Sequence, residues 1–262
     1  MYSSCALIAP RISVPRLRLL RTTPFTSVVP RPASQAMPPA TLARLEQYTA
    51  CDISDALLKL KVPGAGFIAD LNPYSTKSGK DADTLTIAPV STILFAAKGE
   101  VLSEPQPNVP KDTHWSDATE PGTFVVMKQP SGQTNAICGG IMALRMKMRD
   151  AKGIIVAGRV RDVQELKSTN LPILAHGLST VGSGGGSVPW AMQVPLDING
   201  VTVSPGDIAF QDPVNGVVII PKDKVDQVLE MLPNLIAADD KVKQDVLKGM
   251  SVYDAFKLHR GT

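Results

Sequence analysis

The chain has 262 residues, 44% hydrophobic but only 5% aromatic, so it can bury an aliphatic core but lacks an aromatic platform for stacking single-stranded nucleic acid. The formal charge of +3 comes from residues 1–37, which hold five arginines and no acid; the remainder carries 22 basic against 24 acidic residues. A near-neutral body excludes the electrostatic footprint of a nucleic-acid-binding protein, and the absence of 18 consecutive apolar residues argues against a membrane span.

The first 37 residues are rich in Arg, Ser, Thr and Pro, a composition typical of a mitochondrial transit peptide. The alternatives are a disordered tail without a targeting role and an upstream extension before Met37. We expect a mitochondrial matrix location, otherwise a cytoplasmic one, and a single domain over residues 38–262. The three widely spaced cysteines suggest neither a zinc site nor a disulfide framework and fit reduced thiols.

The first predicted element is a helix over residues 41–60, because apolar residues recur there at spacings of three and four. A break near residues 50–52 divides it into two helices, with Asp52 or Ser54 as the cap of the second. A proline and two glycines then end it. Segments rich in Thr, Ile, Val and Phe predict the next elements, which are strands over residues 84–90 and 91–97.

The centre of the chain alternates strands and helices. The predicted strands cover residues 123–127, 153–157 and 171–175, and the predicted helices cover residues 140–150 and 163–168. The pair Arg161-Asp162 follows the second of these strands, with Asp162 as a possible N-cap of the short helix. It is therefore expected at the carboxyl end of a buried strand, where open α/β folds tend to bind ligands.

Turns and strands dominate the next part of the chain. Asn199-Gly200 is a strong hairpin signal, and two helices then close the chain, the first of which Pro233 is expected to break or kink. The predicted strands cover residues 191–198, 201–203, 208–210 and 216–220, and the predicted helices cover residues 222–249 and 251–259. This irregular order predicts a mixed α/β layered domain rather than a doubly wound sheet.

Arg161 and Asp162 are the residues with the clearest chemical potential. An arginine can clamp a carboxylate with two parallel hydrogen bonds, and an adjacent aspartate can hold a hard divalent cation through oxygen. The pair predicts a site for a small acid with a metal beside it. The alternative is a surface ion pair in which Asp162 only caps a helix.

Other candidate motifs are weaker. The glycine-rich segment 182–186 is not followed by a helix, so it is not expected to bind a nucleotide phosphate. Ser183 and Ser187 lack the strained elbow of a serine hydrolase, and Lys128 is the nearest candidate for a Schiff-base lysine. The histidines are isolated and expected to be packing or surface residues, with the first as the best catalytic candidate: His114, His176 and His259.

Residues 121–166 resemble the RraA-like family. The specific matches are Asn135-Ala-Ile-Cys-Gly-Gly-Ile-Met-Ala143 and Gly158-Arg-Val-Arg-Asp162. Weaker matches follow the family order over nearly all of residues 41–260: Ile53-Ser-Asp-Ala-Leu57, Pro121-Gly-Thr-Phe-Val-Val126, Gly153-Ile-Ile-Val156, Pro205-Gly-Asp207 and Asn215-Gly-Val-Val-Ile-Ile-Pro221. The family includes 4-hydroxy-4-methyl-2-oxoglutarate aldolases, which also decarboxylate oxaloacetate, and non-catalytic regulators of ribonuclease E.

The resemblance implies a β/β/α swivelling-type domain, assembled as a homotrimer or hexamer with active sites between subunits. It implies that Arg161 binds the pyruvyl carboxylate or keto oxygen and that Asp162 ligates Mg²⁺ or Mn²⁺, partly through water. Asp240 is the candidate for an acid that relatives supply from a neighbouring subunit. Backbone amides at a helix N-terminus would hold the other carboxylate oxygens: Gly140, Ile141 and Met142.

One position departs from the family pattern. Catalytic relatives often carry Asp or Glu where this chain has Gly140. Either Asp240 or a metal-bound water replaces that acid, or the activity is weak or altered. Other polar side chains could substitute, but the sequence selects none of them: Gln129, His114 and Asn135.

The implied chemistry is retro-aldol cleavage or β-decarboxylation, both through a pyruvate enolate stabilised by a divalent cation. Aldol cleavage also needs a base for the hydroxyl proton, so decarboxylation is the less demanding reaction with Gly140 in place. The first hypothesis is a metal-dependent lyase acting on a small 2-oxo acid. The alternatives are a non-catalytic, protein-binding member of the family and a different lyase or isomerase in the same pocket.

Overall fold

The protein is described by a computed structural model, which covers residues 37–261. These residues form a mixed α/β fold with one large mixed sheet, a separate two-stranded hairpin and six α-helices. The strands are β1 (Asn72–Ser75), β2 (Thr86–Ala97), β3 (Phe124–Lys128), β4 (Gly153–Val160), β5 (Ile173–Leu178), β6 (Ser187–Met192), β7 (Leu196–Ile198), β8 (Val201–Val203), β9 (Ile208–Asp212) and β10 (Gly216–Ile220). The helices are α1 (Pro39–Leu45), α2 (Ala50–Lys59), α3 (Gly140–Met148), α4 (Val163–Ser168), α5 (Val225–Leu247) and α6 (Val252–His259).

The strand order of the large sheet is β1-β5-β4-β3-β2-β9-β10, with β6 also paired to β2. Strands β2, β3, β4 and β5 are parallel to one another, whereas β1, β6, β9 and β10 pair antiparallel with their neighbours. The carboxyl ends of β3, β4 and β5 therefore meet at one edge of the sheet. The predicted mixed α/β fold is confirmed, and the strands share the edge at which the sequence predicts a ligand site.

Strand β2 corrects the prediction of two strands over residues 84–97. It is one continuous strand of 12 residues. Its first part, Thr86–Pro89, pairs with β9, and its last part, Ile93–Ala97, pairs with β6. The strand changes partners instead of ending, because successive parts of one edge are covered by different antiparallel strands.

Three apolar clusters hold the layers together. Helices α3 and α4 cover one face of the parallel strands, where Met146 and Leu166 pack with Val156. The β7–β8 hairpin covers the other face through Leu196 and Val203. The third cluster joins α1, α2 and α5 to β9 and β10. Burial of these aliphatic side chains is the main force holding the parallel strands in place.

Two predictions about the helices are corrected. The break within residues 41–60 is confirmed, since α1 ends at Leu45 and α2 begins at Ala50, but the cap of α2 is Thr49 rather than Asp52 or Ser54. Of the two effects expected of Pro233, a break is wrong, because α5 runs through the proline for 23 residues, and a kink stays a prediction. The apolar residues around the proline are buried against the third cluster, and this packing outweighs the local preference of proline.

The hairpin at Asn199-Gly200 is confirmed, but the strand predicted over residues 191–198 is divided. Its first two residues belong to β6, and β7 begins only at Leu196. Gln193 between them has a positive φ of 55°, and Pro195 cannot donate to a strand ladder. The chain therefore leaves the large sheet before it enters the hairpin.

Residues 1–36 lie outside the described part of the chain. They include almost all of the proposed targeting segment, residues 1–37, so mitochondrial targeting stays a prediction. Within residues 37–261, no helix combines the length and the apolar character needed to cross a bilayer.

We predict that Thr49→Ala lowers the free energy of unfolding by about 1 kcal/mol, because Thr49 and Asp52 form a capping box. The Asp52 amide donates to Thr49 Oγ1 at 3.3 Å, and the Thr49 amide donates to Asp52 Oδ2 at 2.8 Å. Urea unfolding followed by circular dichroism measures the effect. Thr49→Ser keeps the hydroxyl and serves as the control; equal midpoints for the alanine variant and the unaltered protein would contradict the cap.

Candidate functional site

The site begins where the segment before α3 runs beside the end of β4. The Ile137 amide donates to the Arg159 carbonyl, and the Arg161 amide donates to the Cys138 carbonyl, both at 3.0 Å. These bonds continue the parallel pairing beyond the regular strands. They bring Gly139, at the amino end of α3, next to Arg161.

Asp162 has an unusual backbone and an unexpected partner. Its φ and ψ are 60° and 47°, in the left-handed region, which costs a non-glycine residue about 1–3 kcal/mol and often marks a functional site. Its carboxylate does not cap α4, which corrects the sequence-based prediction. Instead, Oδ2 accepts a hydrogen bond from the Gly140 amide at 3.3 Å, at an N-terminus whose own N-cap, Gly139, has no side chain to offer.

Arg161 lies beside this carboxylate with its guanidinium still accessible. Its Nε is 3.3 Å from Asp162 Oδ2, and the two side chains are 43% and 38% exposed. A side chain at Gly182 would come within 3.0 Å of Arg161 Nη1. The glycine-rich segment therefore packs against Arg161, whose side chain stays accessible to a ligand.

Sequence reasoning missed Glu165. A β-carbon on Gly140 would overlap the Glu165 carboxylate, so this side chain fills the space that an acid at position 140 would occupy. A signal was present in the sequence: Asp162 and Glu165 are three residues apart at the start of a helix, a spacing that places both on one side. The departure at Gly140 is thus accompanied by a carboxylate from α4.

Of the backbone amides predicted to bind a carboxylate, one is already hydrogen-bonded and two lie in the first turn of α3. The Gly140 amide already donates to Asp162. The amides of Ile141 and Met142 belong to the first turn of α3, where intrahelical acceptors are missing. Ile141 is 72% exposed, so this end of α3 is open to a ligand, and the partial positive charge there favours an anion.

Asp240 is not joined to the other predicted residues within one chain. It lies on α5, and its carboxylate pairs with Lys243 at 3.3 Å. Among residues 37–261, no hydrogen bond or ion pair connects it with Arg161 or Asp162. Its contribution from a neighbouring subunit stays a prediction.

The polar side chains considered as substitutes for an acid are occupied elsewhere. Gln129 donates to the Asn135 carbonyl at 2.6 Å and accepts from the Arg159 amide at 3.0 Å. Asn135 donates to Ser187 Oγ at 2.9 Å, so both amides fasten loops to the sheet edge. The His114 ring bonds Ser116 Oγ at 2.8 Å in a short turn, which is a local structural role.

Cys138 lies directly before Gly139, the N-cap of α3, and is fully buried. Burial raises the pKa of its thiol to about 12, and the nearby Asp162 carboxylate adds to the increase. The thiol therefore stays neutral at physiological pH, and neutral thiols are poor nucleophiles and poor metal ligands.

Asp162 and Glu165 are the side chains that could hold a divalent cation. No group of three or more His, Cys, Asp or Glu suited to a metal exists within the described residues. Mg²⁺ is often bound by one or two carboxylates, with waters and substrate oxygens completing its shell. Two carboxylates beside Gly139 and Gly140 fit that mode, in which the ligand completes the site.

Comparison with known proteins identifies a family that covers most of this chain. The model of a family described as RraA-like, Aldolase/RraA, matches residues 50–219. Protein DlpA of Legionella pneumophila is 27% identical over 223 residues, which is 83% of this chain but 33% of DlpA. A protein of Stutzerimonas stutzeri named "Putative 4-hydroxy-4-methyl-2-oxoglutarate aldolase" is 29% identical over 109 residues, 40% of this chain and 64% of that protein. The chain thus spans less than two thirds of either relative.

A solved structure shares the fold. An uncharacterized protein from Pseudomonas syringae superposes with a TM-score of 0.65 over 84% of this chain and 98% of that chain, at 19% sequence identity. At this identity, the likeness supports the mixed α/β architecture and carries no functional assignment.

Proposed function

Because this chain belongs to the RraA-like aldolase/RraA family, we propose that it is a divalent-metal-dependent carbon–carbon lyase acting on small pyruvyl-type 2-oxo acids. Its reactions would be retro-aldol cleavage of 4-hydroxy-4-methyl-2-oxoglutarate, decarboxylation of oxaloacetate, or both. One observation carries the proposal: Arg161, Asp162 and Glu165 meet at the open amino end of α3, around Gly140.

Arg161 binds and orients the substrate. A guanidinium can hold a carboxylate with two parallel hydrogen bonds, and the free amides of Ile141 and Met142 offer further donors to the same anion. As the carbon–carbon bond breaks, negative charge develops on the keto oxygen of the substrate. A positive charge held in place beforehand stabilises that charge without reorganisation.

Asp162 positions neighbouring groups in addition to its proposed role as a cation ligand. Its Oδ2 contacts both the Gly140 amide and Arg161 Nε, so one carboxylate orients the guanidinium relative to the end of α3. The left-handed backbone at Asp162 is what turns the side chain back toward α3. This arrangement pre-organises the donors that the reaction needs.

The carboxylates of Asp162 and Glu165 would hold Mg²⁺ or Mn²⁺. Together with Arg161 they leave a net negative charge, which would repel an anionic 2-oxo acid unless a cation is present. When bound, the ion supplies Lewis-acid stabilisation of the charge on the substrate oxygens. Glu165 also provides a carboxylate that could accept the hydroxyl proton in aldol cleavage, so Gly140 does not restrict the protein to decarboxylation.

The proposal extends to assembly and location. It includes the β/β/α swivelling-type arrangement, a homotrimer or hexamer in which Asp240 reaches a neighbouring site, and the mitochondrial matrix. Each of these follows from the family resemblance or from the composition of residues 1–37, and each needs its own measurement.

We predict that pyruvate release from oxaloacetate requires Mg²⁺ or Mn²⁺ and that Glu165→Gln raises the Mg²⁺ concentration for half-maximal rate by about tenfold. The substitution removes one of the two carboxylates at the site while preserving side-chain size. Pyruvate is measured by a coupled assay, corrected for spontaneous decarboxylation, with added metal or with EDTA. Glu230→Gln, an exposed glutamate on α5, is the matched control.

A rate in EDTA equal to the rate with metal would overturn the metal requirement. Absence of turnover with every 2-oxo acid in a panel, at saturating Mg²⁺ or Mn²⁺, would overturn the lyase proposal. The non-catalytic, protein-binding alternative would then be tested by purification of stable complexes.

A further inference from the structure

A cavity of about 310 Å³ lies at the carboxyl edge of β3, β4 and β5, on the face covered by the β7–β8 hairpin. Three basic residues line it, one from the end of each parallel strand: Lys128, Arg159 and His176. Ile198 and Asn199 of the hairpin form the opposite wall.

Lys128 and Arg159 bring two positive charges to this cavity, against one negative charge from Asp197. Among the ion pairs of residues 37–261, none includes Lys128 or Arg159, and Arg159 Nη1 donates to the Leu178 carbonyl at 2.9 Å. Asp197 is the one acidic residue in the lining, and its Oδ1 accepts from the Gly200 amide at 3.3 Å within the hairpin turn. The cavity therefore favours an anion.

His176 adds an independent observation. Its ring lines the cavity, while Nε2 is buried and has no hydrogen-bond partner among the described residues. A buried, unpaired polar atom costs about 1–3 kcal/mol. Nε2 is therefore a candidate hydrogen-bond partner for an oxyanion bound in the cavity.

The cavity is distinct from the site at Arg161. Arg161 and Asp162 do not line it; Arg159 lies against Gly177, whereas Arg161 lies against Gly139 and Gly182. The buried side chain of Gln129 stands between the strand ends, bonded to the Arg159 amide and the Asn135 carbonyl.

We infer that this cavity is a second binding site, specific for a compact molecule bearing a carboxylate or phosphate group. Lys128 and Arg159 supply charge, and His176 supplies a hydrogen bond. The volume is at the lower end of the range for small-molecule sites, so the ligand is a small metabolite rather than a nucleotide. The site is independent of the proposed lyase reaction and remains if that reaction fails.

The test is isothermal titration calorimetry with inorganic phosphate and, separately, with succinate, in a non-anionic buffer at low salt. We expect at least one of the two anions to bind, with affinity that falls as NaCl is added. Lys128→Met should weaken binding at least tenfold, and His176→Gln should weaken it as well. Lys128→Arg keeps the charge and should retain binding, which separates recognition from misfolding.

Two controls separate this cavity from other basic surfaces. Lys152→Met removes an exposed lysine at the opposite end of β4 and should leave binding unchanged. Arg161→Ala removes anion binding at the proposed lyase site, so the binding that remains in this variant is assigned to the cavity. Binding of phosphate alone or succinate alone identifies the ligand class. Absence of both, or binding lost in Arg161→Ala but intact in Lys128→Met, would overturn the inference.

Discussion

Arg161→Ala is expected to lower kcat/KM for pyruvate release from oxaloacetate by about 100- to 1000-fold, the usual cost of removing one donor that stabilises developing negative charge. The Arg161 side chain is 43% exposed and rests on Asp162 and the glycine-rich segment, so the substitution should affect chemistry far more than folding. Thermal unfolding of the variant checks the second expectation.

Two further variants sharpen this experiment. Arg161→Lys keeps the charge but not the planar pair of donors, so it should recover only part of the lost rate. Arg44→Ala, at an exposed position on α1, is the control for loss of an arginine in general. If Arg161→Ala retained more than half of the activity, Arg161 would not contact the reacting substrate.

Gly140→Asp is expected to disrupt the site, although the family resemblance implies an acid at this position in catalytic members. In this chain the Glu165 carboxylate occupies the space of the new side chain, so the variant combines steric overlap with repulsion between like charges. We expect a loss of about 1–3 kcal/mol in the free energy of unfolding and a fall in activity of at least 100-fold. Urea unfolding and the pyruvate assay measure the two effects.

The double variant Gly140→Asp/Glu165→Ala moves the carboxylate from α4 to α3. Because it removes the overlap, it should recover stability and at least tenfold of the lost activity, giving strong coupling in a double-mutant cycle. Gly140→Ala tests overlap without charge, and Gly184→Ala, with open space around it, should not change stability. Additive effects of the two single substitutions would show that residues 140 and 165 do not share one space.

The position of the charged pair could be predicted from the sequence alone. A short aliphatic segment bounded by Gly153 predicts a buried strand, and a charged pair following such a strand must lie at its carboxyl end. The structure extends β4 to Val160, so Arg161 is the first residue beyond it. The hairpin turn at Asn199-Gly200 was predictable for the same reason, since its signal lies within adjacent residues.

Contacts between separate elements could not be predicted in this way. The Asp162 side chain was expected to cap the helix that follows it, yet it binds the amide of Gly140, which is 22 residues earlier. The role of Glu165 depends on the same packing of α4 against α3. Thr49 also replaced the expected caps of α2, because the choice among nearby polar residues depends on where the chain turns.

The amino-acid sequence by itself determined most of the helices and strands, the family, and the location of Arg161-Asp162 at a strand end, because periodicity and short motifs act over a few neighbouring residues. Tertiary structure alone decided that a carboxylate from α4 fills the space at Gly140 and that Lys128, Arg159 and His176 converge on one cavity. The physical reason is that parallel strands bring their carboxyl ends together only when the sheet is assembled and the apolar layers on both faces are packed.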